Sequence, residues 1–377
     1  MKRIKNIATI VALGIGLLVS SCAGNKQVPS PYQTQMDASL NSLLAVRNDS
    51  TGIWPDAGWW NSANVLTAVI RYADLTDQRE KFLPILQDVF TKTKKFTWYT
   101  DKGAVGGVCQ NFINDYYDDE GWWALAWIEA YKLTQQTEYL DMAETIFADM
   151  TTGWSDDVSN GGIFWKKSPW VYKNSIANNL FALTAIRLYQ QTKKSAYADW
   201  FEKEVSWYLN SGMYNKENNM IEDGLDDKTG EPNRGGYYTY NQGVAIAVLT
   251  EMYLYKQEKT YLELAENLVQ GALKNMTTEE GILRERNTDI AAGNDGVQFK
   301  GIFMRHLGFL YNVTKNQTYS DFILKNADCI IKNNYDATSK SFGCYWYGPF
   351  KAVKTAANSS ALECILEAEA ISRAAKQ

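Results

Sequence analysis

Trp59-Trp60-Asn61-Ser62-Ala63-Asn64-Val65-Leu66 decides the fold, because five later segments share its pattern. They are Gly121-Trp122-Trp123-Ala124-Leu125-Ala126, Asn174-Ser175-Ile176-Ala177-Asn178-Asn179-Leu180-Phe181, Tyr240-Asn241-Gln242-Gly243-Val244-Ala245, Phe299-Lys300-Gly301-Ile302-Phe303 and Asn358-Ser359-Ser360-Ala361-Leu362. Their starts lie roughly 55 to 65 residues apart, a period that speaks of architecture before anything else. Each opens on a polar or aromatic residue and runs on as a small-residue, apolar helix without a clear charged face. A helix of that composition is buried on most sides.

A second series lies between them. Glu138-Tyr139-Leu140-Asp141-Met142-Ala143-Glu144-Thr145-Ile146, Ala196-Tyr197-Ala198-Asp199-Trp200-Phe201, Thr260-Tyr261-Leu262-Glu263-Leu264-Ala265-Glu266 and Thr318-Tyr319-Ser320-Asp321-Phe322 are its clear members. Gln33 to Val46 and Gln78 to Phe90 are weaker ones. Apolar positions recur three and four apart with charges between, so these helices are amphipathic. The tyrosine near the start of four of them reads as a packing anchor. Six amphipathic helices alternating with six buried ones predict an all-α fold, a closed (α/α)6 barrel of six helical hairpins with the buried helices as its inner wall. An open solenoid of hairpins is the alternative, but the pattern ends at both termini without obvious polar caps.

In such a barrel the loops preceding the inner helices open at one end, so their residues converge. These loops are the unusual ones: Ile53 to Trp60, Asn114 to Asp119, Gly161 to Trp165, Ile221 to Asp227, Asn233 to Tyr240 and Cys344 to Gly348 are rich in Gly, Asp, Asn and aromatic rings. The chain carries 13 Trp and 23 Tyr against seven Pro. Most such rings pack between helices, but a sugar's C–H face also stacks on an aromatic plane, and a pit with these walls suits a neutral, hydroxyl-rich polymer.

The N-terminus has a different character. Met1-Lys2-Arg3-Ile4-Lys5 is basic, Ile7 to Val19 is apolar, and Val19-Ser20-Ser21-Cys22 follows. This is an export signal, with an apolar run of about 13 residues against the roughly 20 that span a bilayer. A cysteine directly after small residues is the pattern of a bacterial lipoprotein signal, so residues 1–21 are expected to be removed and Cys22 lipidated. Residues 22–30 read as a tether and 31–377 as one catalytic domain. The expected location is the cell envelope, lipid-anchored to the outer membrane; Ala23, rather than Asp, after Cys22 resembles sorting there. The net charge of -5 falls by three to about -8 once Lys2, Arg3 and Lys5 are lost, and no basic footprint for nucleic acid is present. Cys109, Cys329, Cys344 and Cys364 are too sparse for a disulfide scaffold and form no CxxC. With His306 alone, a His-based metal site or a Ser-His-Asp triad lacks material. Gly161-Gly162 and Gly235-Gly236 lack phosphate-loop spacing. No metal or cofactor is expected, and the chain is expected to act as a monomer.

Asp118 and Asp119 stand where a loop meets the second inner helix. Glycoside cleavage needs one carboxylic acid to protonate the leaving oxygen and one carboxylate across the anomeric carbon. Neighbours at a helix start diverge by about 100°, which places their carboxyl groups roughly 5 to 6 Å apart, near the spacing a retaining mechanism uses. Two aspartates before a helix also serve as N-cap and dipole partners, so the pair alone decides nothing.

Its surroundings do more. Tyr116-Tyr117-Asp118-Asp119-Glu120-Gly121-Trp122-Trp123-Ala124-Leu125-Ala126 resembles the active-site segment of glycoside hydrolase family 76, the endo-α-1,6-mannanases. The resemblance extends to Trp59-Trp60-Asn61-Ser62-Ala63-Asn64, Tyr238-Thr239-Tyr240-Asn241-Gln242-Gly243 and Gln298-Phe299-Lys300-Gly301-Ile302-Phe303, covering nearly the whole mature chain in order. It implies an (α/α)6 fold and a retaining endo-hydrolase of α-mannan or manno-oligosaccharides, with Asp118 as nucleophile and Asp119 as general acid/base. Asp118's charge and partial burial would then hold the proton on Asp119, the two titrating as a unit.

Asp223 resembles a family position that lines the sugar site; as an aspartate before glycine it also reads as a turn residue. Asn61, Asn64, Asn241 and Gln242 either bond sugar hydroxyls or cap inner helices. Tyr240 joins them as an aromatic contact. Of Trp59 with Trp60, and of Trp122 with Trp123, one ring each is expected on the sugar and one in the core. Lys300 is a substrate contact or a partner for an aspartate. Two other readings compete: a glycan-binding lipoprotein, for which Asp118 and Asp119 would be dispensable, and an unsaturated uronyl hydrolase, which would need more cationic groups near the pit.

Overall fold

The computed structural model describes residues 30–99, 105–167, 171–285, 293–351 and 354–376. The signal, Cys22 and nearly all of the tether therefore lie outside the described residues.

Among the described residues twelve helices alternate as the repeats predict. The outer helices are α1 (Gln33–Ala45), α3 (Arg79–Thr93), α5 (Thr137–Thr151), α7 (Ser195–Asn210), α9 (Lys259–Asn275) and α11 (Gln317–Asn333). The inner ones are α2 (Trp59–Leu75), α4 (Tyr117–Thr134), α6 (Ser175–Thr192), α8 (Thr239–Lys256), α10 (Gly293–Thr314) and α12 (Thr355–Ala374). Each inner helix packs on the next, and α12 packs back on α2, which closes the ring. α4 and α10 begin four and six residues ahead of the motifs that announced them, so the acidic stretch before Gly121 is already helical.

Small residues permit this packing. A side chain at Gly243 in α8 would come 2.6 Å from the Phe303 backbone of α10, and one at Gly301 in α10 2.5 Å from the Ser360 carbonyl of α12. The tyrosine anchors of the outer helices act as expected where their contacts are resolved: Tyr139 is fully buried, stacked on Trp127 of α4 at 5.4 Å, and Tyr197 meets Phe147 edge-on.

Lower in the barrel every inner helix contributes charge, and the sign alternates around the ring: Arg71 (α2), Glu129 (α4), Arg187 (α6), Glu251 (α8), Arg305 (α10), then Glu363 and Glu367 (α12). Arg187 bridges Glu129 at 3.2 Å and Glu251 at 3.8 Å, Arg305 pairs with Glu363 at 2.9 Å, and Arg71 joins Glu363 and Glu367. Pairing of this kind keeps buried charges compensated and links α12 to α2 across the closure. His306, buried among these arginines, has its proton affinity pushed well down by burial and then by Arg305, Arg187 and Arg71, so the ring is neutral.

Among the described residues three short antiparallel hairpins, which the helical periodicity does not announce, rim the other end: β1 (Lys95–Tyr99) with β2 (Val105–Gln110), β3 (Tyr214–Asn215) with β4 (Met220–Ile221), and β5 (Tyr335–Asp336) with β6 (Ser341–Phe342). Among the described residues no helix is long and apolar enough to cross a membrane.

Candidate active site

The approach to α4 is fastened on both sides. Asn114 turns the chain by accepting the Tyr116 N–H at 2.9 Å, while the Tyr117 N–H donates to the Trp165 carbonyl at 3.0 Å and the Lys167 N–H to the Asp115 carbonyl at 2.9 Å. α4 then begins with three acidic residues in its first turn, where the helix dipole favours negative charge. Glu120 points into the wall, where Lys167 pairs with it at 2.9 Å and with Asp149 at 2.7 Å. Asp118 and Asp119 instead line a cleft of about 690 Å³ together with Trp59, Trp60, Phe96, Tyr116, Trp165 and Asp295.

The two carboxylates are held differently. Asp118 accepts the indole N–H of Trp165 at 3.0 Å through Oδ2 and the Asp119 backbone N–H at 3.1 Å through Oδ1. Asp119 accepts one amide N–H, from Asn114 Nδ2, at 2.7 Å. Burial raises Asp118's pKa to about 7 against the pull of its two donors, with Asp295 adding to the rise. Asp119 is raised well above the ordinary carboxylate range by burial first and then by the charge of Asp118. Asp118, with two N–H donors, is the more readily ionised of the two, and Asp119 is the stronger proton holder.

Asp295, in the first turn of α10, is a third carboxylate on this cleft that sequence reasoning missed. The Trp60 indole N–H donates to its Oδ1 at 2.9 Å, and its charge raises the proton affinity of both Asp118 and Asp119. Its signal was available: Asp295 stands four residues before Phe299, one helical turn above a ring already placed at the barrel mouth. Asn114 and Trp165 lay in loops recognised as unusual, but nothing in their spacing tied them to the pair.

Of the anticipated residues, Asp223, Asn241 and Tyr240 gather on the wall formed by the start of α8. Asp223 accepts Tyr172 Oη at 2.7 Å and Asn241 Nδ2 at 3.2 Å. Tyr240 stacks on Phe299 at 3.8 Å, its hydroxyl proton held tightly by burial and then by the charges of Asp223, Asp118 and Asp295. Of the first tryptophan pair, Trp60 is half-buried, whereas Trp59 is buried against Phe96 and Trp123.

Five anticipated contacts are placed elsewhere. Trp122 is only 3% exposed and lies under Trp60, their rings 5.7 Å apart, so neither tryptophan of the second pair faces the sugar side. Asn64 accepts from Arg305 at 3.0 Å and belongs to the charged ring. Gln242 clamps β4, accepting the Ile221 N–H at 2.8 Å and donating to its carbonyl at 3.0 Å. Lys300 is fully buried, donating to the Cys344 carbonyl at 2.8 Å beside Trp346. Asn61 is buried, and its amide nitrogen finds no hydrogen-bond partner among the described residues. For two of them the physical reason is depth: one turn along an inner helix descends about 5.4 Å into the barrel, so Trp122 lies a turn below Asp118 and Asn64 a turn below Trp60.

The molecule is similar to several known proteins. An inactive variant of the α-1,6-mannanase GH76A of Salegentibacter sp. HEL1_6, solved with α-1,6-mannotetrose, superposes with a TM-score of 0.79 at 22% identity, covering 91% of this chain and 100% of that one. The Lin0763 protein from Listeria innocua gives 0.77 at 25% identity, covering 90% and 97%. In sequence, the mannan endo-1,6-alpha-mannosidase DCW1 of Candida albicans is 25% identical over 68% of this chain and 58% of its own length, and DFG5 of the same organism is 29% identical over 51% and 46%. The chain thus spans about half the length of these curated relatives. The family profile described as Glycosyl hydrolase family 76 matches residues 33–376, and the chain belongs to that family.

Proposed function

We propose that this protein is a retaining, endo-acting glycoside hydrolase that cuts α-1,6-mannosidic bonds in mannan, with Asp118 as nucleophile and Asp119 as general acid/base. The observation that carries the reading is the unequal treatment of two adjacent carboxylates, Asp118 held by two N–H donors and Asp119 beside its charge. Asp118 attacks the anomeric carbon while Asp119 gives its proton to the departing glycosidic oxygen, leaving a mannosyl ester on Asp118. Asp119, now ionised, takes a proton from water, the hydroxide oxygen bonds the anomeric carbon, and the ester carboxylate leaves. Two inversions return the α configuration. Support comes from the relatives above, each called a mannan endo-1,6-alpha-mannosidase, and from the mannanase that is inactivated by replacing two consecutive aspartates.

Azide rescue on an activated aryl α-1,6-mannobioside tests the roles. Asp119→Asn should yield the α-mannosyl azide, because azide opens the covalent ester; Asp118→Asn should yield the β-azide by direct displacement. The reverse pattern would exchange the assignments, and inverted product from the wild type would end the retaining reading. Three aspartates around the cut disfavour an anionic sugar there, which argues against a uronyl hydrolase. A protein that only binds glycan has no use for a proton-sharing pair.

The N-terminal reading extends this proposal: a lipid on Cys22 holds the enzyme at the outer membrane. Metabolic labelling with an alkyne fatty acid should mark the wild type and not Cys22→Ser; equal labelling of both would refute it.

A further inference from the structure

A second cavity, of about 890 Å³, opens beside the starts of α8, α10 and α12, on the same end of the barrel as the aspartate pair but across its mouth. Its chemistry differs from that of the catalytic cleft. Where the cleft presents Asp118, Asp119 and Asp295, this cavity sets two cations, Arg284 and Lys351, against one buried acid, Glu285, beside Tyr237, Tyr345 and Tyr347.

Three observations give it a ligand class. The first is the aromatic wall: Tyr345 and Tyr347 lie 5.6 Å apart at 46°, and Tyr347 is among the few exposed large rings at 38%. Rings at a cavity wall offer flat apolar faces with polar tips, the surface a sugar's C–H face stacks on.

The second is Arg284. Among the described residues it alone of the arginines has no carboxylate partner; the other seven are all ion-paired. In a chain of net charge -5 that is an unusual position for a guanidinium. Its place is set by the backbone, since the Arg284 N–H donates to the Met276 carbonyl at 2.9 Å. The next residue, Glu285, also lines the cavity, but it is buried and its carboxylate is engaged, accepting the Thr239 N–H at 2.9 Å.

The third is Lys351, exposed, its ammonium 5.7 Å over the Tyr345 ring and in no ion pair among the described residues. Two uncompensated cations beside a tyrosine wall make a place for an oxyanion attached to a sugar, with the guanidinium fork as the bidentate element.

We propose that this cavity is a second glycan-binding site, taking a sugar unit that carries an anionic substituent such as a phosphate ester, with the ring against Tyr345 and Tyr347 and the oxyanion on Arg284 and Lys351. It rests on the mannanase reading only for the polymer that would bring such a unit there.

The test uses the mature protein, Arg284→Gln and Tyr347→Ala, titrated calorimetrically with mannose 6-phosphate, glucuronate and mannose. Charge-assisted hydrogen bonds should make mannose 6-phosphate bind roughly tenfold or more tighter than mannose. Arg284→Gln should abolish that preference, and Tyr347→Ala should weaken both sugars. Glucuronate matching mannose 6-phosphate would show that charge alone is read; glucuronate matching mannose would assign the site to phosphate. Equal binding of all three, or a preference that survives Arg284→Gln, would overturn the proposal. A parallel digest separates the two readings: phosphorylated mannan should be cut roughly tenfold less efficiently by Arg284→Gln, and phosphatase-treated mannan equally well by both. If neither mannan is cut, the mannanase reading fails, and the titrations still decide the cavity.

Discussion

Replacing Trp165 by Phe removes the indole N–H from the active site and trims the bicyclic ring to a single aromatic one. The ring that packs 5.1 Å from Tyr116 and edge-on to Tyr172 is largely retained, but the indole N–H that reaches Asp118 Oδ2 at 3.0 Å is lost. That bond is made to the ionised carboxylate, so losing it makes Asp118 harder to ionise and raises its pKa. A hydrogen bond to a charged group is worth about 1.5–3 kcal/mol, and one pKa unit corresponds to about 1.36 kcal/mol. The acid limb of kcat/KM should therefore move up by about 1–2 pH units. The Asp119 backbone N–H, at 3.1 Å, remains to stabilise the anion, so activity survives above the new limb. Asn114→Ala makes the matching case: its amide N–H bonds Asp119 at 2.7 Å and lowers that group's pKa, so its loss should raise the basic limb instead. The assay is initial rate on a soluble manno-oligosaccharide across the pH range, with circular dichroism of each variant as the check on folding. An acid limb that stays in place or moves down in Trp165→Phe would refute the assignment of Asp118 as the group that must be ionised.

Asp295→Asn keeps an acceptor for Trp60 but removes a negative charge that raises both members of the pair, so both limbs of the pH profile should shift toward lower pH; a profile that does not move would remove Asp295 from the site's electrostatics. Gly301→Ala forces a methyl to within 2.5 Å of the Ser360 carbonyl, backbone against backbone, and should cost roughly 2 kcal/mol in urea unfolding despite its gain in helix propensity. Lys173 is buried with its ammonium on the carbonyls of Ser155, Asp157, Val158 and Gly161 at 2.6–2.8 Å. Lys173→Met should lower stability by about 3 kcal/mol or more, with protease nicking first in the loop it holds.

The barrel was legible because its inner helices cannot be anything else: Ala, Gly and Ser recur at the positions where neighbouring helices meet, as Gly301 on Ser360 shows. The aspartate pair stood out because its segment, Tyr116 to Ala126, resembles the active-site segment of glycoside hydrolase family 76. Depth was not. Reading a motif as a unit put Trp122, Asn64, Gln242 and Lys300 at the sugar, whereas helical descent carries Trp122 and Asn64 below the mouth, Lys300 is buried on the Cys344 carbonyl and Gln242 is occupied in clamping a hairpin. Asp295 was passed over because the fifth inner helix was expected to begin near Phe299, six residues after its actual start; only the fold brings it beside Trp60, 235 positions away in the chain. Two of the three hairpins were invisible for a simpler reason, since β3 to β6 are two residues each, too short for alternation to register.

The central claim is that Asp118 and Asp119 together cut α-1,6-mannan, and product analysis of debranched α-1,6-mannan tests it most directly. Wild-type protein should release a ladder of manno-oligosaccharides, and Asp118→Asn and Asp119→Asn, each still folded, should release none. A ladder that persists in either variant would contradict the account, as would a wild type that binds the polymer and leaves it whole.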